Sequence, residues 1–282
     1  MQQTGALCRQ TGEARSAMNI SALVVVFNED RHLRDCLASL KPFEEVVVAD
    51  IGSADHSIAI AHSMGAKVIR HPWVPIGEMV LPGLFPSLQN DWVIRVDPDE
   101  ILPPSLVEDL IRLEVSDNIG IVHVPYQYYF LNRRLDTTLW GGVRPIPRVM
   151  HRDRVTVTAD VHRALRCKPG CETYTLPSRP GNAVIHYWVD DYRQLIEKHE
   201  RYLKMEGESR YNNGFRFDWK SLLYNPLKSF AASFIKYAGW RGGWAGWFLS
   251  VFIAVYEARA WLSLMRYEKA LANRHSGGLS HP

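Results

Sequence analysis

Cysteine is scarce and scattered in this chain: Cys8, Cys36, Cys167 and Cys171 are the four among 282 residues. That excludes a small disulfide-built secreted scaffold and makes a reducing compartment, the cytoplasm, the expected one. Cys167 and Cys171 have no second pair to complete a zinc knuckle, so a hairpin with two free thiols is expected there. Residues 1–17 lack an apolar h-region and are not read as a secretory signal; a loose leader is expected, with the fold starting at Met18. No charge-free apolar run reaches the roughly 18 residues a spanning helix requires, the longest uncharged stretch being residues 242–256. Internal repeats and low-complexity tracts are absent as well. What remains is an ordinary globular composition, 46% hydrophobic and 22% charged, in a chain long enough to bury a core without staples.

The charge is small overall, +3, but unevenly placed. Residues 1–192 carry a balance of −4 and residues 193–282 a balance of +7, and six of the nine tryptophans follow residue 185. A basic, tryptophan-rich tail suits an anionic surface over an apolar layer, as in a membrane leaflet. Nucleic acid is not expected as a partner, because no nucleic-acid-binding motif accompanies the basic residues.

Along the front of the chain, apolar runs alternate with helical periodicity. Ile20 to Phe27 reads as a buried strand, followed by a helix with Leu33, Leu37 and Leu40 on one face. Asn28-Glu29-Asp30 supplies the expected cap of that helix, and Pro42 its end. Further strands are expected at Glu45 to Ala49, Ala66 to Arg70 and Trp92 to Val96, with a helix between the first two of these. Such alternation predicts an α/β domain on a mostly parallel sheet, whose strand ends share one ligand-binding edge. Three strands each deliver acidic residues there: Asn28-Glu29, Asp50 to Asp55, and Asp97-Pro98-Asp99. From Ile121 to His162 the pattern is strand-like and irregular, and Val184 to Trp188 reads as a last strand. Helix is expected from Asp191 onward, divided by Pro226 and broken again at Trp240-Arg241-Gly242-Gly243-Trp244. The expected organisation is a catalytic unit over 18–190, with a nucleotide-binding half to about 100 and an acceptor half beyond it, then a helical extension over 191–282.

Asp97 and Asp99, one residue apart at a strand end, offer hard oxygen ligands suited to Mg²⁺ or Mn²⁺ beside phosphate oxygens. A plain turn capping the next helix is the alternative. The set Val26-Phe27-Asn28-Glu29, Asp50-Ile51-Gly52-Ser53-Ala54-Asp55 and Arg95-Val96-Asp97-Pro98-Asp99-Glu100 resembles the family 2 glycosyltransferases of GT-A fold. Downstream, Arg148 to Arg152, Val161-His162, His186-Tyr187-Trp188, Lys198 and Arg201-Tyr202 resemble the lipopolysaccharide-core branch that adds β-1,4-glucose to heptose. The resemblance implies an inverting transfer of a hexose from a nucleotide diphosphate sugar, UDP-linked, to a saccharide or glycolipid acceptor. It implies that Phe27, Asn28 and Glu29 grip the nucleoside, that Asp50 and Ser53 form a turn at the base, and that Arg95 lies under the phosphates. Asp97 then faces ribose and sugar, Asp99 ligates the metal, and His186 is a further metal ligand or diphosphate contact. An inverting enzyme needs a base for the acceptor hydroxyl. Relatives have Val-His-Glu where this chain has Val161-His162-Arg163, so the base falls to Asp160, or to His162. Trp140 and Tyr126 are candidates to stack on acceptor sugars, core packing being the alternative for each.

Two other functions fit parts of this pattern. A sugar-phosphate nucleotidyltransferase wants a glycine-rich basic loop after the first strand, where this chain has Asn28-Glu29-Asp30. A non-catalytic sugar-binding relative would accommodate the missing glutamate after His162. The helical tail is expected to lie on the inner face of the cell membrane; packing on the catalytic unit or on a second copy, in a homo-oligomer, is the alternative.

Overall fold

The computed structural model describes residues 18–158 and 165–277. Its front half follows the predicted alternation: β1 (Ile20–Val26), α1 (Asp30–Leu40), β2 (Glu45–Asp50), α2 (Ser57–Ser63) and β3 (Lys67–Arg70). A short helical stretch containing α3 (Leu81–Leu84) leads to β4 (Trp92–Val96), then β5 (Glu100–Ile101) and α4 (Pro104–Ile111). The irregular middle resolves into β6 (Ile119–Phe130), β7 (Arg133–Arg134), β8 (Val143–His151), β9 (Val155–Val157), β10 (Leu165–Cys167), β11 (Glu172–Thr175) and β12 (Val184–Val189). Three long helices close the described chain: α5 (Tyr192–Asn212), α6 (Trp219–Ala231) and α7 (Gly243–Gly277).

The main sheet runs β3-β2-β1-β4-β8-β6-β12-β5. Six of these eight strands share one direction; β8 and β5 run against their neighbours. β1 shows why its sequence is apolar at every position but Ser21, whose hydroxyl donates to Glu45. Ala22, Val24 and Val26 pack on one side with Leu33 and Leu37 of α1 and Leu106 of α4. Leu23 and Val25 pack on the other with Leu81, Leu84 and Met150. A strand covered on both faces has no polar side to show.

A third cluster ties the tail to the sheet. Phe130, Trp188 and Val189 pack against Leu195 of α5 and Leu249 of α7. α5 opens on Asp191, whose carboxylate accepts the Gln194 N–H at 2.8 Å. Pro226 does not divide the helical part; it sits inside α6. The break comes instead at residues 232–242, where a π turn (Ala232–Lys236) and a 3₁₀ turn (Gly239–Arg241) flank Ala238 at φ 51°. α7 corrects the reading of apolar runs: over Gly243–Asn273 it is long and apolar enough, by length and composition, to cross a membrane. The apolar part is its first two thirds, where Glu257 and Arg259 are the charged residues before Arg266, Glu268 and Lys269. Cys36, Cys167 and Cys171 are all free thiols, as expected.

Candidate active site

A cleft of about 380 Å³ opens where the carboxyl ends of the parallel strands meet. Phe27 and Glu29 line it from the end of β1, and Arg95, Asp97 and Asp99 from β4 and the turn after it. The loops after β1 and β4 thus meet at one edge with their acidic residues, and the loop after β2 reaches it through Ile51.

The first two loops brace each other. Asp50 is buried, and its Oδ1 accepts the N–H groups of Gly52 (3.3 Å) and Ser53 (2.8 Å). Gly52 sits at φ 111°, which only glycine adopts freely. Ser53 Oγ accepts the Asn28 N–H at 3.1 Å, and Asn28 Oδ1 accepts the Ala54 N–H at 2.7 Å. Asn28 itself is left-handed at φ 55°, a conformation asparagine tolerates. Asp50, Ser53 and Asn28 thus hold the loop that presents Phe27 and Glu29, rather than lining the cleft themselves. The cap of α1 also differs from expectation: no side chain of Asn28-Glu29-Asp30 provides it. Ser57 Oγ accepts the Glu29 N–H (3.1 Å), and Asp55 accepts the N–H groups of Asp30 (3.2 Å) and Ser57 (3.0 Å). One carboxylate therefore serves the starts of both helices, and its hydrogen bonds outweigh its desolvation to lower its pKa.

Asp97 is clamped between two arginines. Arg95 donates to its Oδ1, and Arg148 NH2 donates to its Oδ2 at 2.9 Å. Arg95 lines the cleft, but its other end is committed to Glu78 at 3.0 Å. Arg148 also donates to Glu100 Oε1 at 2.7 Å, while Tyr126 O–H and the Asp97 N–H donate to Glu100 Oε2, each at 2.9 Å. This corrects the role expected of Tyr126. Its ring is 1% exposed, its hydroxyl is bound to Glu100, and it presents no face to a sugar. Tyr128, two residues on and on the same side of β6, lines the cleft instead.

Asp99 and His186 are brought together by strand register. After the Asp97-Pro98-Asp99 turn the chain pairs antiparallel with β12, setting Glu100 opposite His186. His186 Nε2 then lies 3.4 Å from Asp99 Oδ2, and Nδ1 lies 3.6 Å from Glu100 Oε1 without a hydrogen-bond partner. Ligand atoms of Asp99, Glu100 and His186 all fall within 4.8 Å of one another. Two neighbouring ligands of one octahedral Mg²⁺ or Mn²⁺ stand about 3 Å apart, given bonds near 2.1 Å, so this pair fits such an ion. Burial would raise the Asp99 carboxyl, yet the charges of His186 and Lys198 hold it down to about 2. Glu29 goes the other way: burial, reinforced by the Asp99 charge, pushes it up to about 7.

The cations of the cleft come from α5. Lys198, Arg201 and Tyr202 line the cleft, at helical spacing that puts them on one face. Burial opposes the charge of Lys198, but Asp99 outweighs it and raises the pKa, so the amine stays a cation. Trp140 also lines the cleft, stacked on Trp188 at 4.8 Å. Asp160 and His162, the candidates for the base, lie outside the described residues. Trp73, 54% exposed, and Glu78 also reach the cleft. Nothing in the local pattern of their proline-broken segment marks them; they arrive because the chain crosses the end of β1, placing Gly77 against Val25 and Arg95.

Residues 21–169 match the model of the family described as Glycosyl transferase family 2. An uncharacterized glycosyltransferase of Rickettsia conorii (RC0292) is 36% identical over 101 residues, 35% of either chain, so the match spans about a third of that relative. The lipopolysaccharide core biosynthesis glycosyltransferase LpsC of Rhizobium meliloti is 24% identical over 246 residues, covering 84% of this chain and 88% of LpsC. Among solved structures, glucosyl-3-phosphoglycerate synthase of Mycobacterium tuberculosis in complex with Mg²⁺ and uridine-diphosphate is similar at TM-score 0.45. The identity there is 16%, with 70% of this chain and 80% of that one covered.

Proposed function

Because the chain belongs to glycosyl transferase family 2, we propose that it moves a hexose, glucose, from a UDP-linked donor to a saccharide or lipid-linked acceptor of the cell envelope. One observation carries this reading: a buried acid–histidine pair, Asp99 and His186, shares one cleft with two cations, Lys198 and Arg201. Such a cleft suits a diphosphate, which needs positive charge on both sides as it departs.

Asp99 and His186, with Glu100 beside them, would hold the Mg²⁺ or Mn²⁺. When bound, that ion supplies a Lewis acid for the leaving diphosphate. Lys198 and Arg201 approach the same oxygens from α5, and Arg95 and Arg148 keep Asp97 fixed toward ribose and sugar. Phe27, 38% exposed, offers its face to the base, and Glu29 its carboxylate to the ribose. Trp140 stacks on the acceptor sugar, and Asp160, with His162 near it in sequence, takes the proton of the attacking hydroxyl. A base of this kind leaves an acidic limb in the pH profile.

The enzyme works on the inner face of the membrane. Between residues 219 and 256 the chain has four cations (Lys220, Lys228, Lys236, Arg241) and no carboxylate. Leu223 and Leu227 of α6 are each 70% exposed. Apolar side chains of this size, ringed by cations, suit an anionic leaflet.

A thermal-shift panel tests the central assignment, since a ligand that binds only the native state raises Tm. UDP should stabilise the protein in the presence of Mn²⁺ and lose that effect in Asp99→Ala. Stabilisation by a nucleoside triphosphate instead of UDP, or by UDP regardless of metal, would refute it.

A further inference from the structure

The break between α6 and α7 does more than join two helices. It is where the tail meets the loop that carries Trp140. The Thr138 N–H donates to the Tyr237 carbonyl at 3.0 Å. Thr138 is buried and left-handed at φ 74°, and Ala238, next to its partner, is left-handed at φ 51°. Residues with a Cβ hold that conformation only where their surroundings over-determine it. The surroundings are tight: a Cβ on Gly242 would come within 2.4 Å of Thr137 Oγ1. The Arg144 guanidinium lies over the Tyr237 ring at 5.2 Å, and Arg144 also donates to the Gly141 carbonyl at 3.0 Å.

Two residues beyond Thr138, Trp140 stacks on Trp188 in the cleft wall. Trp188 belongs to the same cluster as Ala245 and Leu249, the first turns of α7. The inner face of the segment 237–249 therefore backs the cleft wall formed by Trp140 and Trp188. The outer face of the same break, from residue 235 to 247, is of another kind. Ile235, Trp240 and Trp247 are exposed, and Lys236 and Arg241 have no carboxylate partner among the described residues. A single turn of chain thus has the cleft wall on one side and an unpaired basic, apolar surface on the other.

We infer that the 237–242 turn is the positioning element of Trp140, and that seating its outer face on an anionic lipid surface orders the acceptor side of the cleft. The inference rests on the membrane reading of the tail and adds a consequence for the site. Lipid restrains the outer face, the Thr138–Tyr237 bond passes that restraint to the loop, and Trp140 is held against Trp188. A surface can shift this equilibrium only through its differential affinity for the ordered turn, and the ordered turn is what gathers Lys236 and Arg241 with the exposed Ile235, Trp240 and Trp247 into one basic, apolar face.

Amide hydrogen exchange of residues 131–144 reads the coupling directly, because it reports local opening. The full chain is mixed with vesicles of phosphatidylglycerol and phosphatidylcholine, or of phosphatidylcholine alone, and co-sedimentation is recorded alongside. Exchange in this segment should slow about tenfold on the anionic vesicles and not on the neutral ones. Gly242→Val, which wedges the turn from Thr137, should still co-sediment but show no slowing. Arg144→Gln, a milder change, should show a reduced response if the valine variant fails to fold. Co-sedimentation of the parent without slowing, or equal slowing in the variants, overturns the coupling and leaves the membrane reading standing. Failure of the parent to co-sediment overturns both.

Discussion

Replacing Arg148 with methionine keeps an unbranched apolar stem and removes the charge from the cleft lining. The consequences can be worked through atom by atom. Arg148 is buried and donates to Asp97 Oδ2 and to Glu100 Oε1. Asp97 retains Arg95 when Arg148 is gone. Glu100 is 0% exposed and keeps Tyr126 and the Asp97 N–H on Oε2, but Oε1 is left without a donor. Breaking a buried pair by removing one partner costs about 3–5 kcal/mol. For a chain of this size that is a fall in Tm of about 10 °C. Burial already pushes the Glu100 carboxyl well above its ordinary value, and the charges of Asp97 and Asp99 add to this. Without Arg148 it rises further. Below the parent's own folded value both proteins keep the proton and lose stability equally as pH rises, so the gap between them is flat there and widens only above that value. Urea unfolding of parent and variant at pH 7.5 measures the loss. A difference under about 1 kcal/mol would show that Arg148 is not the counter-charge described.

Three further expectations follow from other parts of the chain. Glu29, half-buried and raised to about 7, destabilises the fold where it ionises, so Glu29→Gln should melt above the parent at pH 8 and level with it below pH 4.5. The full shift corresponds to about 3 kcal/mol, which partial exposure reduces to about 1–2; calorimetry at the two pH values decides it. Asp55→Ala removes the carboxylate shared by α1 and α2 and should cost about 1–2 kcal/mol at pH 7. Since its folded pKa is lowered, that stability should decline as pH falls from about 4 through the folded value, and a gap as large at pH 2.5 as at pH 7 in urea melts would contradict the assignment. Changing Lys228, Lys236 and Arg241 together to glutamine should weaken partition onto phosphatidylglycerol vesicles about 100-fold, at about 1 kcal/mol per cation. Should the parent ignore such vesicles and elute as a dimer, a second copy covers the tail instead.

Much of the front half was legible one residue at a time. A strand buried on both faces must be apolar throughout, and a helix between two such strands must show its own period, so β1, α1, β2 and β4 could be read in order. The acidic loops at their ends could be placed on one rim, because parallel strands leave no other place for them. Lys198, Arg201 and Tyr202 carried a readable signal as well, the spacing of one helical face. What stayed hidden depends on pairings that span the chain. Tyr126 and Tyr128 look alike in sequence, and only the register of β6 against β12 decides which one is buried on Glu100 and which reaches the cleft.

Sequence alone thus determined the order of elements, the direction of the sheet and the acidic rim, because each follows from local periodicity and from the handedness of parallel connections. Tertiary structure alone decided that His186 stands beside Asp99, that Asp97 is shared by two arginines, and that the tail's turn touches the loop bearing Trp140. Apart from Arg95, two residues from Asp97, these contacts join residues 51 to 99 positions apart along the chain, as from Asp97 to Arg148 or from Thr138 to Tyr237. No local spacing encodes them; they exist only once the sheet has closed around its core.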